Sequence, residues 1–246
     1  MQNKVALVTG GAKRVGAAIV KRLHGEGMSV MIHFQHSLAE ACALRDELNA
    51  LRKNSAAAMQ ADLLQLVDLP KLIDQTVKTY GRLDALVNNA STFHATPVGS
   101  IDENNWAGLI GTNLKAPLFL SQAAAPALKQ HRGCIVNIID IHSERPLKEY
   151  VVYSIAKSAM LGLTRSLSIE LGPEIRVNGV SPGVAAWPAD GGHFDVKEQA
   201  RIVDQTSLKR PGSPDDMAGA VKFLVCDATY VTGQIINVDG GRSVHL

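Results

Sequence analysis

The 246-residue chain is poor in aromatics, at 4% of its residues, and holds three cysteines, Cys42, Cys134 and Cys226. They lie far apart with no paired metal-ligand spacing, which argues against a disulfide scaffold or a zinc module, so no metal is expected. They read instead as small buried hydrophobes in a reducing compartment. Neither sign of charge is in excess: 25 Lys and Arg against 23 Asp and Glu give a formal net charge of +2, and the charges are scattered. That leaves no electrostatic footprint for a nucleic acid or an anionic membrane surface, and neither is expected as a partner. Apolar runs break at charges or glycines well short of the roughly 18 residues a membrane helix needs. The opening stretch MQNKVALVTG runs straight into an apolar segment without a basic region or a small-residue cleavage site. No secretory leader is therefore expected, and the cytoplasm is the expected location. No Pro/Gly/Ser-rich linker and no repeat of about 20–50 residues divides the chain, so a single domain over 1–246 is expected.

What the sequence does contain is alternation. At 46% hydrophobic and 20% charged, it has ordinary globular composition. Short β-rich runs at 5–8, 29–34, 56–60, 85–87, 134–139, 176–180 and 235–238 alternate with helical patterns such as 39–51, 66–80, 106–129 and 154–171. Several of the runs are apolar throughout, as strands covered on both faces must be. The pattern predicts an α/β fold, a single doubly wound Rossmann domain with a seven-stranded parallel sheet flanked by helices on both faces. The stretch 182–195 is too rich in Gly and Pro for a regular element. A substrate lid is expected over about 183–207, in which Trp187 either walls a pocket or folds onto the core.

Thr9-Gly10-Gly11-Ala12-Lys13-Arg14-Val15-Gly16 follows the first strand and opens a helix. Its small residues let backbone approach a pyrophosphate at the positive end of a helix, although a tight turn without a ligand has the same composition. Its place after the first of seven strands favours a dinucleotide. The end of the second strand, His33-Phe34-Gln35-His36-Ser37, lacks the acid that would hold a ribose 2′-hydroxyl and repel a 2′-phosphate. Ser37 and the helix start it caps, His36 when protonated, and Lys13 or Arg14 across the cleft would receive that phosphate, so NADPH is expected. Read only locally, His36 and Ser37 are a loop residue and an N-cap.

Tyr153 and Lys157 stand four residues apart in a helical segment, hence on one face. An ammonium near the phenol would favour the phenolate and lower its pKa from ~10, making a general acid for neutral pH. By itself such a pair is common on helix surfaces.

Taken together these residues resemble the short-chain dehydrogenase/reductase family over the whole chain. The matches are TGGAKRVG at 9–16, Asp62, Asn88-Asn89-Ala90, Asn113, YSIAK at 153–157, Pro182-Gly183 and VDGG at 238–241. The resemblance implies a cofactor held by Gly10, Lys13, Arg14, Val15 and Gly16 of the turn and by His33 of the second strand. It also implies Asp62 and Leu63 at the adenine, Asn89, Ala90 and Ser91 along the nucleotide, Tyr153 and Lys157 at the ribose, and Pro182, Gly183 and Val184 near the nicotinamide. Asn113 would anchor a water in a proton relay. The helix carrying Ala156, Ala159, Gly162 and Leu163 would pack in a homotetramer.

Two departures from the general pattern are informative. Arg14 stands where the family has its second motif glycine, and Asp140 stands thirteen residues before Tyr153 where it has a serine. With Ser91-Thr92-Phe93, these resemble the pteridine reductase branch. That implies a pterin stacked on Phe93 and held by Arg14, Ser91, Asp140, Tyr153 and Trp187, with hydride from nicotinamide and a proton through Tyr153 and Asp140. A carboxylate beside a developing alkoxide opposes it, which argues against simple ketones. Burial would raise the Asp140 carboxyl pKa and Lys157 would pull it down. The expected activity is NADPH-dependent reduction of a dihydropterin, such as dihydrobiopterin, dihydromonapterin or dihydrofolate, to the tetrahydro form. The alternatives are a general carbonyl or 3-oxoacyl reductase and a catalytically silent NADP-sensing protein.

Overall fold

In the computed structural model seven short apolar runs lie side by side as parallel strands: β1 (Val5–Val8), β2 (Ser29–Phe34), β3 (Ala56–Gln60), β4 (Ala85–Asn88), β5 (Cys134–Ile138), β6 (Arg176–Pro182) and β7 (Ile235–Val238). Their order is β3-β2-β1-β4-β5-β6-β7. The structure describes residues 1, 3–185, 187 and 195–245. The period-2 pleat sends Ala6 and Val8 of β1 into one core cluster and Val5 and Leu7 into another. The first cluster is closed by Ile19, Val20 and Leu23 of α1 (Arg14–Gly25) and Leu44 and Leu48 of α2 (Leu38–Leu51). The second is closed by Leu72 of α3 (Leu69–Tyr80). A smaller cluster forms where Leu109 of α4 (Glu103–Ile110) meets Tyr150, Val152 and Tyr153. α5 (Ala116–Gln130) joins α3 on the second face through Leu120, Ala124 and Leu128. α8 (Pro214–Lys222) joins α1 on the first through Met217 and Val221, while α6 (Val151–Glu170), α7 (Val196–Asp204) and α9 (Arg242–His245) complete the set. This is the doubly wound arrangement, with a crevice where chain direction across the sheet reverses between β1 and β4.

Several expected boundaries move for identifiable reasons. The pattern at 106–129 is not one helix. α4 starts at Glu103 because the Asp102 carboxylate accepts the Asn105 N–H at 2.8 Å. A π turn at Gly111–Lys115 then separates it from α5. Gly111 leaves room there for the Leu64 side chain, which a Cβ would displace. The 66–80 pattern opens with a 3-10 turn, Leu66–Asp68, before α3. α6 begins at Val151, and β6 runs on to Pro182. Part of the expected lid is regular: α7 is capped by Asp195, whose side chain accepts the Glu198 N–H at 2.8 Å. Residues 186 and 188–194 of that lid lie outside the described residues. Of the cysteines only Cys134 is fully buried, its thiol pushed up to about 11 by desolvation; Cys42 and Cys226 are half-buried. No helix among the described residues is long and apolar enough to cross a membrane.

The end of the sheet opposite the crevice is tied by Asp84. Its buried carboxylate accepts the Val5 N–H at 2.8 Å and takes Arg82 bidentately at 2.8 and 2.6 Å. Asp84→Ala leaves a buried N–H and a guanidinium without that acceptor and is expected to cost about 2–4 kcal/mol. Urea denaturation of the two proteins measures it, and a change within error would mean the carboxylate carries no such role.

Candidate active site

The crevice is a cavity of about 530 Å³ at the C-terminal ends of the central strands. The glycine turn forms one wall, and its shape is set by contacts that exclude side chains. Gly10 has φ +59° and a Cβ there would lie 3.0 Å from the Ala90 Cα, while a Cβ on Gly16 would collide with the Gly10 carbonyl. Under the turn lies buried His33. Its Nδ1 accepts the Gly10 N–H at 3.1 Å, its Nε2 meets the Ala61 carbonyl at 3.1 Å, and its own carbonyl accepts the Gly11 N–H at 2.8 Å. Desolvation pushes the imidazole down to about 4, so it is neutral, with Nε2 carrying the proton. At the start of α1, Lys13 supplies no side-chain cap and no acid stands in the first turn. The positive end of the helix dipole is thus left for an anion.

Arg14 stands in the left-handed backbone region that glycine favours, with φ +52°. Its Nη2 donates to the Trp187 carbonyl at 3.1 Å, and both residues line the cavity. A left-handed non-glycine residue costs about 1–2 kcal/mol. Arg14→Gly is therefore expected to raise the unfolding free energy by about 1 kcal/mol while weakening ligand binding in the cavity. Thermal denaturation beside ligand titration checks both, and a destabilised glycine variant would show that the arginine's contacts outweigh its strain.

All the residues expected at the cofactor line the cavity except His36 and Ser37. His36 is exposed, and Ser37 precedes α2 without making a side-chain cap bond. Both stand beside the cavity rim, between the lining residue Gln35 and Glu40, which pairs with the lining residue Lys13. Gln35 lines the wall instead, its Nε2 donating to Asp62 at 3.0 Å. Lys13 is paired with Glu40 at 2.6 Å, each side chain about half exposed.

The opposite wall gathers the expected chemistry. Asp140, just past the end of β5, accepts the Tyr153 hydroxyl at 2.7 Å on one oxygen and the His142 N–H at 2.8 Å on the other. Buried Lys157 donates to the Ile138 carbonyl at 3.1 Å, its Nζ 5.6 Å from the Tyr153 ring centre. The expected lowering of the Tyr153 pKa does not occur. Burial, then the Asp140 charge and hydrogen bond, push the phenol well above its ordinary value. Burial also pushes the Lys157 ammonium down to about 8, with Asp140 opposing. Between about pH 8 and 10 the unfolded chain therefore holds more protons at this lysine than the folded one. Across that window the wild type is expected to gain on the order of 1–3 kcal/mol relative to Lys157→Met. Denaturation of both proteins at pH 7.5 and 9.5 tests this, and parallel pH profiles would contradict it.

Asn113, turned inward by the π bulge, accepts the Ser91 hydroxyl at 2.6 Å and donates to the carbonyls of Thr92 and Leu109 at 3.0 and 2.9 Å. It stands behind the lining residue Ser91 rather than in the cavity wall. Phe93, 41% exposed, stacks on Tyr150 with ring centres 4.4 Å apart and meets Tyr153 edge-on at 4.8 Å. Tyr150 is an unanticipated support that covers one face of the phenyl ring. Glu198, Arg201, Ile202 and Arg242 also line the cavity without having been anticipated. Glu198, Arg201 and Ile202 fall within the expected lid segment, and Arg242 stands directly after VDGG. Ala156 is wholly buried within the chain, so it is not available for the intersubunit contact expected of it, whereas Gly162 is exposed.

Residues 10–243 match the family described as Enoyl-(Acyl carrier protein) reductase. The chain is 39% identical to pteridine reductase 1 of Leishmania tarentolae, covering 98% of this chain and 96% of that one. It is 34% identical to a 3-oxoacyl-[acyl-carrier-protein] reductase of Staphylococcus epidermidis, covering 97% and 98%. Among solved structures it is similar to a blue fluorescent protein from a metagenomic library in complex with NADPH, with TM-score 0.91, 34% identity and 98% of each chain covered.

Proposed function

The chain belongs to the short-chain dehydrogenase/reductase family, and from that membership we propose that it is an NADPH-dependent oxidoreductase that reduces a dihydropterin to the tetrahydro form. The turn fits a dinucleotide: Gly10 and Gly16 keep its face clear of side chains, and α1 begins without a cap or an acid. Lys13 would exchange Glu40 for a 2′-phosphate at little cost, since a half-exposed ion pair contributes only about 0–1 kcal/mol. The nicotinamide, when bound, supplies the hydride.

The observation that carries the pterin reading is the 2.7 Å bond from Tyr153 to Asp140. A ketone needs a neutral donor for its growing alkoxide, and a carboxylate there is electrostatically opposed. Reduction of a C=N bond instead makes a nitrogen that takes a proton, and the phenol–carboxylate pair holds one. Its transfer to nitrogen, as the adjacent carbon is reduced, balances the reaction. The Lys157 ammonium, 5.6 Å from the ring centre, offsets the charge left on the pair, and solvent returns the proton. Phe93 offers a flat wall for a heteroaromatic ring, braced from behind by Tyr150. Arg14 and Ser91 supply polar contacts at its edge. The similarity to 3-oxoacyl reductases supports carbonyl reduction as a second reading, and Asp140 is the residue that stands against it.

NADPH oxidation with dihydrobiopterin and dihydrofolate, beside acetoacetyl thioester and a diketone, decides between them. Tyr153→Phe and Asp140→Asn are each expected to lower pterin turnover about 100-fold or more, with NADPH affinity little changed. Asp140→Ser should shift activity towards ketones. Wild-type turnover of the carbonyl substrates alone would end the pterin reading.

A further inference from the structure

Arg242 opens α9 directly after the Asp239-Gly240-Gly241 turn that follows β7. It is 6% exposed, lines the cavity, and its Nε finds no acceptor among the described residues. Carboxylates stand within its electrostatic reach, but each is engaged elsewhere. Asp239 accepts the backbone N–H groups of Gly241 and Ser243 at 2.9 and 2.6 Å. Glu198 takes Arg201 bidentately at 2.8 and 2.6 Å. Asp140 is shared between Tyr153 and the His142 N–H. A guanidinium withdrawn from water without a fixed partner is costly, and the group that compensates it best is an anion with two parallel oxygens.

The sheet order says which end of the cavity this is. The turn with Lys13, and Gln35 and Asp62, follow β1, β2 and β3, on one side of the crevice. Arg242 follows β7 at the far edge of the sheet, with Asp140, after β5, between them. Arg242 therefore belongs with the substrate rather than with the adenosine half of a cofactor. Arg201 on α7 also lines the cavity, but its guanidinium is taken by Glu198.

Building on the pterin reading, we propose that Arg242 forms a carboxylate-binding subsite, so that the substrate is a pterin whose substituent bears a carboxylate rather than a neutral polyol. The pterin ring occupies the wall between Phe93 and Tyr153, and its acidic tail reaches the end of the cavity under β7.

The test is calorimetric binding of folate, which carries a glutamate tail, and of biopterin, whose side chain is neutral, to the NADP⁺-saturated protein. Wild type, Arg242→Gln and Arg242→Lys are compared, and turnover of the corresponding dihydropterins is measured on the same preparations. Arg242→Gln is expected to weaken folate about 10- to 100-fold and biopterin by less than about 3-fold. Arg242→Lys should recover part of the loss, and high salt should shrink the difference. Equal losses on both ligands, loss of NADP⁺ affinity with folate preference intact, or unchanged folate binding would each overturn the subsite, as would a wild type that binds neither pterin. Arg242-dependent folate binding without wild-type turnover would keep the subsite and remove the reductase reading. Turnover of both dihydropterins with no Arg242 dependence would do the reverse.

Discussion

The site hangs on a clasp across the point where the sheet reverses direction. Thr9 directly follows β1, and its buried hydroxyl donates to the Val87 carbonyl at 3.3 Å while accepting the N–H groups of Asn89 and Ala90 at 2.9 and 3.0 Å. Asn89 answers by donating its side-chain amide to the carbonyls of Thr9 and Gly10 at 2.8 and 3.1 Å. Neighbouring parallel strands diverge where their ladder stops, and a crevice forms there in every such sheet. The clasp fixes how far these two strands open. It sets the Gly10 turn against Ala90 on one side and, through Ser91 and Asn113, positions the entry to the opposite wall. His33 does for the outer side of the turn what Asn89 does for the inner side. Burial holds its imidazole neutral, so one ring nitrogen is always ready to accept the Gly10 N–H.

The architecture was legible in the sequence because burial on both faces leaves continuous apolar runs, and all seven were found with boundaries differing by two residues at most. Site residues that sit at strand ends were legible for a related reason: the strand fixes where they emerge. Asp140, Gly10 and Gly183 are of this kind. Two kinds of residue were not. His36 follows a strand and is exposed at the cavity rim, outside the lining. Arg201 and Glu198 reach the cavity from α7, inside the segment expected as a lid, but which of its side chains turn inward depends on tertiary packing that no local pattern encodes. The π turn that carries Asn113 was likewise unread, since it differs from the surrounding helix in backbone hydrogen bonding rather than in residue type.

The Tyr153–Lys157 pair shows why spacing alone misleads about electrostatics. Four residues along a helix put the two side chains on one face, as expected, but that face is buried. In a desolvated site both charged forms are penalised, so the phenol rises and the ammonium falls, and the nearby carboxylate reinforces the first and opposes the second. Asp140 thus has two effects at once. It keeps the Tyr153 proton in place and helps keep the Lys157 charge. A serine in the same position would do neither by charge, so the substitution changes the ionic state of the whole wall as well as one hydrogen bond.

The residues that mark this wall and the turn facing it are individually unfavourable to the fold. Arg14 occupies a glycine conformation, Lys157 is a buried cation with one carbonyl partner, and the Arg242 Nε has no acceptor among the described residues. Core packing tolerates such costs only where surrounding contacts over-determine the geometry, as the Thr9–Asn89 clasp and the two apolar clusters do. Each of the three cations also faces the same volume. Donors so placed, beside the carboxylates of Asp62, Asp140 and Glu198, suit a ligand with acceptors, as the proposed pterin has. Such a ligand would give the Arg242 Nε and the Lys157 ammonium partners that the chain itself does not supply in full, so its binding would offset their burial.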